Sequence, residues 1–101
     1  MEIIIGKNKQ DNWRIIDESS PTDIWFHVAD YPSSHVILKT NGELLKNIPK
    51  QIINRCACLC KSHSSVPSMK NCEIVYTQIS NVKKTNIVGQ VVTQNTKSKR
   101  F

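Results

Sequence analysis

Asp23-Ile24-Trp25-Phe26-His27-Val28-Ala29-Asp30-Tyr31-Pro32-Ser33-Ser34-His35-Val36-Ile37-Leu38-Lys39 is the run whose reading decides the fold. Ile24 to Ala29 and His35 to Thr40 are short segments rich in β-branched and aromatic types. A Tyr-Pro-Ser-Ser turn signal lies between them, so the run predicts two antiparallel strands. Successive strand side chains point to opposite faces, which puts Ile24, Phe26 and Val28 on one side and Asp23, Trp25 and His27 on the other. In the second strand Val36 and Leu38 part in the same way from His35, Ile37 and Lys39. Burying the apolar sets therefore brings His35 and Lys39 beside Trp25 and His27. Pairing either Ala29 or His27 with His35 keeps these faces together, and alternation leaves both registers open.

Outward from this pair, Glu2 to Ile5, ended by Gly6, and Trp13 to Ile16 predict two further strands joined by a polar turn. Ser19 to Asp23 is a loop by composition, and Asn41-Gly42 is a turn signal closing the central pair. Pro49 marks a helix start, after which Ile52, Ile53, Cys56, Leu59, Cys60 and His63 recur at three- and four-residue spacing. That helix, over about 49–63, should lay its apolar stripe on Ile24, Phe26 and Val28, leaving the other sheet face to Trp25 and His27. Ser62 to Asn71 reads as a loop, Glu73 to Ile79 as a strand, Asn81 to Asn86 as a polar basic turn, and Gly89 to Gln94 as a last strand. The expectation is one α+β domain over 1–94, with a basic, frayed tail over 95–101. Its mostly antiparallel sheet should hold about five strands, with one principal helix packed on one face.

The chain of 101 residues suits one domain, which at this size buries about two thirds of its unfolded surface. Its hydrophobic fraction of 39% and mean hydropathy of −0.37 fit a globular protein. No stretch approaches the ~20 apolar residues that span a bilayer, and Met1 to Gly6 carries no basic leader, so a cytoplasmic protein without membrane partners is expected. The net charge of +6 is uneven: residues 1–50 hold six Lys and Arg against seven Asp and Glu, and residues 51–101 hold eight against one. A half so basic is what contact with a polyanion requires, and it equally describes a solvated surface.

Cys56, Cys60 and His63 share one helical face, and Cys72 could complete a tetrahedral metal site. Buried cysteines filling a helix core fit the pattern better, so neither a metal nor another cofactor is expected. His27 or His35 oriented by Asp23 or Asp30 could serve a small hydrolase as general base. No nucleophile with its own partner, metal or phosphate cradle accompanies them, so no catalytic residue is assigned. Nucleic acid needs stacking surfaces beside cations, and Trp25, His27, His35 and Lys39, with Tyr31 at the turn, supply both. Against this, a strand tryptophan is often core, and Trp25 with Trp13 could simply fill the second sheet face. Lys83 and Lys84 after Asn81 could contact phosphates or form an ordinary charged loop.

Asp23-x-Trp25-Phe26-His27 followed by Pro32-x-Ser34-His35-Val36 resembles the signature of the NFACT-R domain, the RNA-binding module of NFACT proteins acting on stalled ribosomes. Gly6-Lys7-Asn8 with Asn12, and Val75-Tyr76-Thr77 followed by Asn81-Val82-Lys83-Lys84, extend the likeness over roughly residues 3–92. Ser33 stands where larger NFACT proteins usually carry Gly, and the chain looks more like the stand-alone members, such as the coiled-coil-domain-containing relatives. The resemblance implies RNA binding in ribosome-associated quality control, with tRNA or rRNA on a ribosomal particle as partner. Carried to matching positions, it implicates Asp23, Trp25, His27, Ser34, His35, Lys83 and Lys84, with Lys7 in the first turn; Lys39 joins them from the strand face. A DNA-binding module is the alternative, since phosphate contacts do not distinguish the sugars.

Overall fold

In the computed structural model, which describes residues 1–101, the quoted run forms the middle of a sheet. β2 (Ile24–Val28) and β3 (Val36–Lys39) pair antiparallel, with Trp25 opposite Ile37 and Phe26 opposite Val36. Of the two registers left open, this is the one that carries His27 toward His35 when extended. β1 (Glu2–Ile5) adds to β3, β4 (Glu73–Gln78) adds to β2, and β7 (Lys97–Arg100) adds to β4, all antiparallel. The resulting five-stranded order is β1-β3-β2-β4-β7.

Helix α2 (Lys50–Ser62) lies where its stripe demands, burying Ile53, Cys56, Ala57 and Cys60 against Ile24, Phe26, Val28, Val36 and Leu38. A cluster of 13 buried residues forms between helix and sheet and is the main core. No helix of the protein is long and apolar enough to cross a membrane.

Three expectations are corrected. Trp13 to Ile16 is not a strand but part of helix α1 (Lys9–Asp17), so the domain has two helices rather than one principal one. The Asn8 side chain caps α1 by accepting the Asp11 N–H at 2.8 Å, and the Asp11 carboxylate accepts the Lys7 N–H at 2.8 Å. Arg14 pairs with Asp11 one turn back and Glu18 one turn on, while Asn12, Ile15 and Ile16 are buried at helical spacing.

Second, Asn81 to Asn86 is not only a turn: β5 (Val82–Lys84) pairs antiparallel with β6 (Val91–Thr93) in a separate two-stranded sheet. Third, the tail over 95–101 is not frayed. Its lysines and arginine suit an edge strand, where charge discourages further pairing. Phe101 anchors it by exchanging backbone hydrogen bonds with Cys72 at 2.8 and 2.9 Å.

The sheet face expected to be open is covered by α1 and the β5–β6 hairpin, which bury Trp25 and Ile37 against Ile15, Ile16 and Val82.

Candidate nucleic-acid interface

Alternation and register together bring Trp25, His27 and His35 into one group. The Trp25 and His27 rings stack with centroids 5.7 Å apart and planes 5° from parallel, and His35 meets both edge-on at 5.4 and 5.2 Å. Trp25 Nε1–H donates to His35 Nδ1 at 3.1 Å, so the neutral His35 ring carries its proton on Nε2.

The backbone of His35 is held from both sides. Its N–H donates to Asn12 Oδ1 at 3.2 Å, and its carbonyl accepts the Gly6 N–H at 2.9 Å. Asn12 approaches so closely that a Cβ on Gly6 would lie 1.9 Å from Asn12 Oδ1, which accounts for glycine there.

Burial drives the His35 pKa down to about 3, with His27 nearby adding to the effect, and burial also lowers that of His27. Both rings are therefore neutral at physiological pH. They can donate and accept hydrogen bonds, but they do not attract phosphate as cations.

The β5–β6 hairpin walls this group on its open side. Trp13 Nε1–H donates to the Gln90 carbonyl at 3.1 Å, and Lys84 lies 5.2 Å from the centre of the Trp13 ring while pairing with Asp17 at 2.7 Å. Gly89, at φ +85, turns the hairpin where a Cβ would meet Lys9 Cβ at 2.9 Å. Between this turn and the two histidines lies a cavity of about 260 Å³. It adjoins one of about 480 Å³ that shares His27, His35, Gly89 and Gln90 and extends to Tyr31, Ile87 and Val88. A third, polar cavity continues past Asn12 and Ser33 to Lys7, Asn8 and His63. The three form one groove between α1, the β2–β3 turn and the hairpin.

The residues singled out from sequence divide between groove and scaffold. His27, His35, Ser34 and Lys7 line the groove. Trp25 also borders it, but at 3% exposure it presents no ring face on which a base could stack. Asp23 is buried: it accepts the N–H groups of Thr40 and Ser20 at 3.0 and 2.9 Å and pairs with Lys39 at 3.3 Å. Lys39 also donates to the Glu18 carbonyl, so this pair ties the far end of β2 and β3 to α1.

Lys84 is engaged by Asp17 and Trp13, while Lys83 beside it is exposed and unpaired. Lys9 and the Ile87–Gln90 turn were not singled out from sequence. The Asn8 cap and the Asp11, Arg14, Glu18 spacing were the available signals for α1, which places Lys9. Ser33, in the β2–β3 turn, accepts the Val28 N–H on its hydroxyl at 3.1 Å and so secures the turn by a side-chain bond.

Cys56, Cys60 and Cys72 lie in the core, and Cys58 is exposed on the other side of α2. Burial pushes the Cys56 and Cys60 thiols up to about 12 and about 11, which keeps them protonated. No three His, Cys, Asp or Glu side chains converge as metal ligands would.

Comparison with known proteins gives concordant results. The family model described as the NFACT protein RNA binding domain matches residues 1–96. Coiled-coil domain-containing protein 25 of Bos taurus is 44% identical over 93 residues, covering 88% of this chain and 45% of the relative. The Rqc2 homolog RqcH of Bacillus subtilis is 29% identical over 87 residues, covering 85% of this chain and 14% of the relative. The chain thus spans less than half the length of either. The C-terminal structure of the fibronectin/fibrinogen-binding protein from Streptococcus suis superposes with a TM-score of 0.88 over 97% of this chain and 39% of that one, at 22% identity, which establishes a shared fold.

Proposed function

Because the chain belongs to the NFACT protein RNA binding domain family, we propose that it binds tRNA or rRNA on a ribosomal particle, in the cytoplasm, as part of ribosome-associated quality control. The observation that carries this reading is the groove, in which Lys7 and Lys9 at the start of α1 lie beside two neutral histidines and the Ile87–Gln90 turn. Those cations are suited to phosphates, and the rest of the groove offers hydrogen bonds and apolar surface to bases. Trp25 and Asp23 act from beneath, one fixing the tautomer of His35 and the other clamping the ends of β2 and β3. Burial of the platform tryptophan shifts base contact to the groove's exposed groups.

Cross-linking in cell extract followed by sequencing of the recovered nucleic acid tests this. Enrichment of ribosomal or transfer RNA is expected, and its loss when Lys7 and Lys9 are changed together to Gln would tie it to the groove. Recovery of double-stranded DNA would move the assignment to DNA binding. Empty recovery with turnover of small phosphoesters would point instead to the histidines as a catalytic pair.

A further inference from the structure

We propose that the cleft between the Asp30–Pro32 turn and the Ile87–Gln90 turn receives one unpaired base of the bound RNA, and that Asp30 selects guanine there. This rests on the RNA-binding reading and specifies what the groove recognises.

Tyr31, Ile87 and Val88 line the cleft and are 41%, 54% and 41% exposed, so three large side chains meet solvent at one place in a small domain. The cavity of about 480 Å³ lies within the range of about 300–1,000 Å³ typical of small-ligand sites. With Trp25 sealed below, Tyr31 is the aromatic side chain left with a face to offer, and Ile87 and Val88 supply apolar walls. Lys9 lines the same cleft and Lys7 the adjoining one, so the surroundings complement a phosphodiester on either side of an inserted base.

Asp30 lines this cleft as well, and its carboxylate makes neither a hydrogen bond nor an ion pair within the protein. Its backbone is left-handed, at φ +65, a conformation Asp and Asn tolerate better than most residues. A free carboxylate facing a polyanion repels it unless the ligand brings donors to that point. Guanine alone among the four bases presents two adjacent donor groups, N1–H and the 2-amino group, on its Watson–Crick edge. These match the two oxygens of one carboxylate, whereas adenine, cytosine and uracil offer one donor group each there. The same charge disfavours any base that turns an acceptor toward it.

The test is an anisotropy titration of the protein with short, labelled single-stranded RNA probes that differ at one central base: guanine, adenine or hypoxanthine. Guanine should bind about tenfold or more tighter than adenine, as expected for hydrogen bonds to a charged group. Hypoxanthine, which lacks the 2-amino group, should lose most of that advantage. Asp30→Asn preserves the turn and should abolish the preference for guanine while leaving the adenine probe bound as well or better, because a repulsive charge is gone. Tyr31→Ala, at an exposed position, should weaken the guanine probe roughly five- to a hundredfold. Equal binding of guanine and adenine, or an Asp30→Asn change that shifts both probes alike, overturns the proposal and leaves RNA binding itself standing. Failure of every probe to bind also overturns the proposal, and RNA binding then stands or falls on the cross-linking result.

Discussion

The two faces of the sheet solve different problems. Against α2 the contacts are almost wholly apolar: Ile24, Phe26, Val28, Val36 and Leu38 are fully buried and meet a helix stripe of Ile, Ala and Cys. Against α1 and the hairpin the same strands bury Trp25 and Ile37, but also Asp23, His35 and the neighbouring Asn12. Those polar groups are all hydrogen-bonded, and no buried side-chain nitrogen or oxygen lacks a partner. The apolar face is specified chiefly by volume and shape, so volume-conserving apolar exchanges there are tolerated best. The polar face specifies one arrangement, because each displaced partner leaves a buried group unsatisfied. The groove is built on the face whose geometry is specified.

Disturbing each face in turn should expose that difference. The largest effect belongs to the apolar side: Phe26→Ala, at a fully buried position beside Tyr76, should cost about 3 to 5 kcal/mol and bring the domain near global unfolding in a denaturant titration.

Acid attacks the polar side at comparable scale. An unfolded histidine protonates near 6.5, whereas folded His35 does so only at about 3. The stability held by its neutral ring is complete above pH 6.5 and is lost as pH falls from there towards 3, since the unfolded chain takes up a proton the folded one refuses. The loss should reach on the order of 4 kcal/mol by pH 3 and be visible as a falling denaturation midpoint. His35→Gln, if it folds, should flatten that dependence.

Gly6→Ala should come next, at about 1 to 3 kcal/mol, because the added methyl must push Asn12 off the His35 N–H. Its signature is a loss of RNA affinity out of proportion to the loss of stability, whereas Phe26→Ala should move both together.

The smallest effects belong to the surface cations. Lys83→Gln, Lys7→Gln and Lys9→Gln should each reduce the slope of log affinity against log salt by ~0.7 for a single strand. Lys84→Gln should change the slope less and instead loosen the hairpin by up to about 1 kcal/mol, since its ammonium is already engaged by Asp17 and Trp13. Equal slopes for Lys83→Gln and Lys84→Gln would show that Lys84 leaves Asp17 to bind phosphate.

The parts legible in sequence were those governed by local periodicity. Period two sorted β2 and β3 into faces, period three and four found α2, and the side-chain spacing in Asp23 to His35 carried the family likeness. Those features depend on which way neighbouring side chains point, and the chain geometry alone dictates that. The charge bias of residues 51–101 was likewise plain, since composition needs no fold.

Tertiary structure decided the register that joins His27 to His35, the covering of the second face by α1, and hence whether Trp25 is platform or core. Trp13-Arg14-Ile15-Ile16 is too short for its period to separate strand from helix, and the buried surface of Trp25, Ile37 and Val82 settles the choice by giving Ile15 and Ile16 a place to bury. The residues at 97–100 form an edge strand because β4 has an unpaired edge beside them, a fact no local pattern contains. The groove has the same origin: it unites residues from the start of α1, the β2–β3 turn and the Ile87–Gln90 turn. Segments far apart in sequence become neighbours only through packing, so burial and the satisfaction of buried polar groups, rather than periodicity, determined the site.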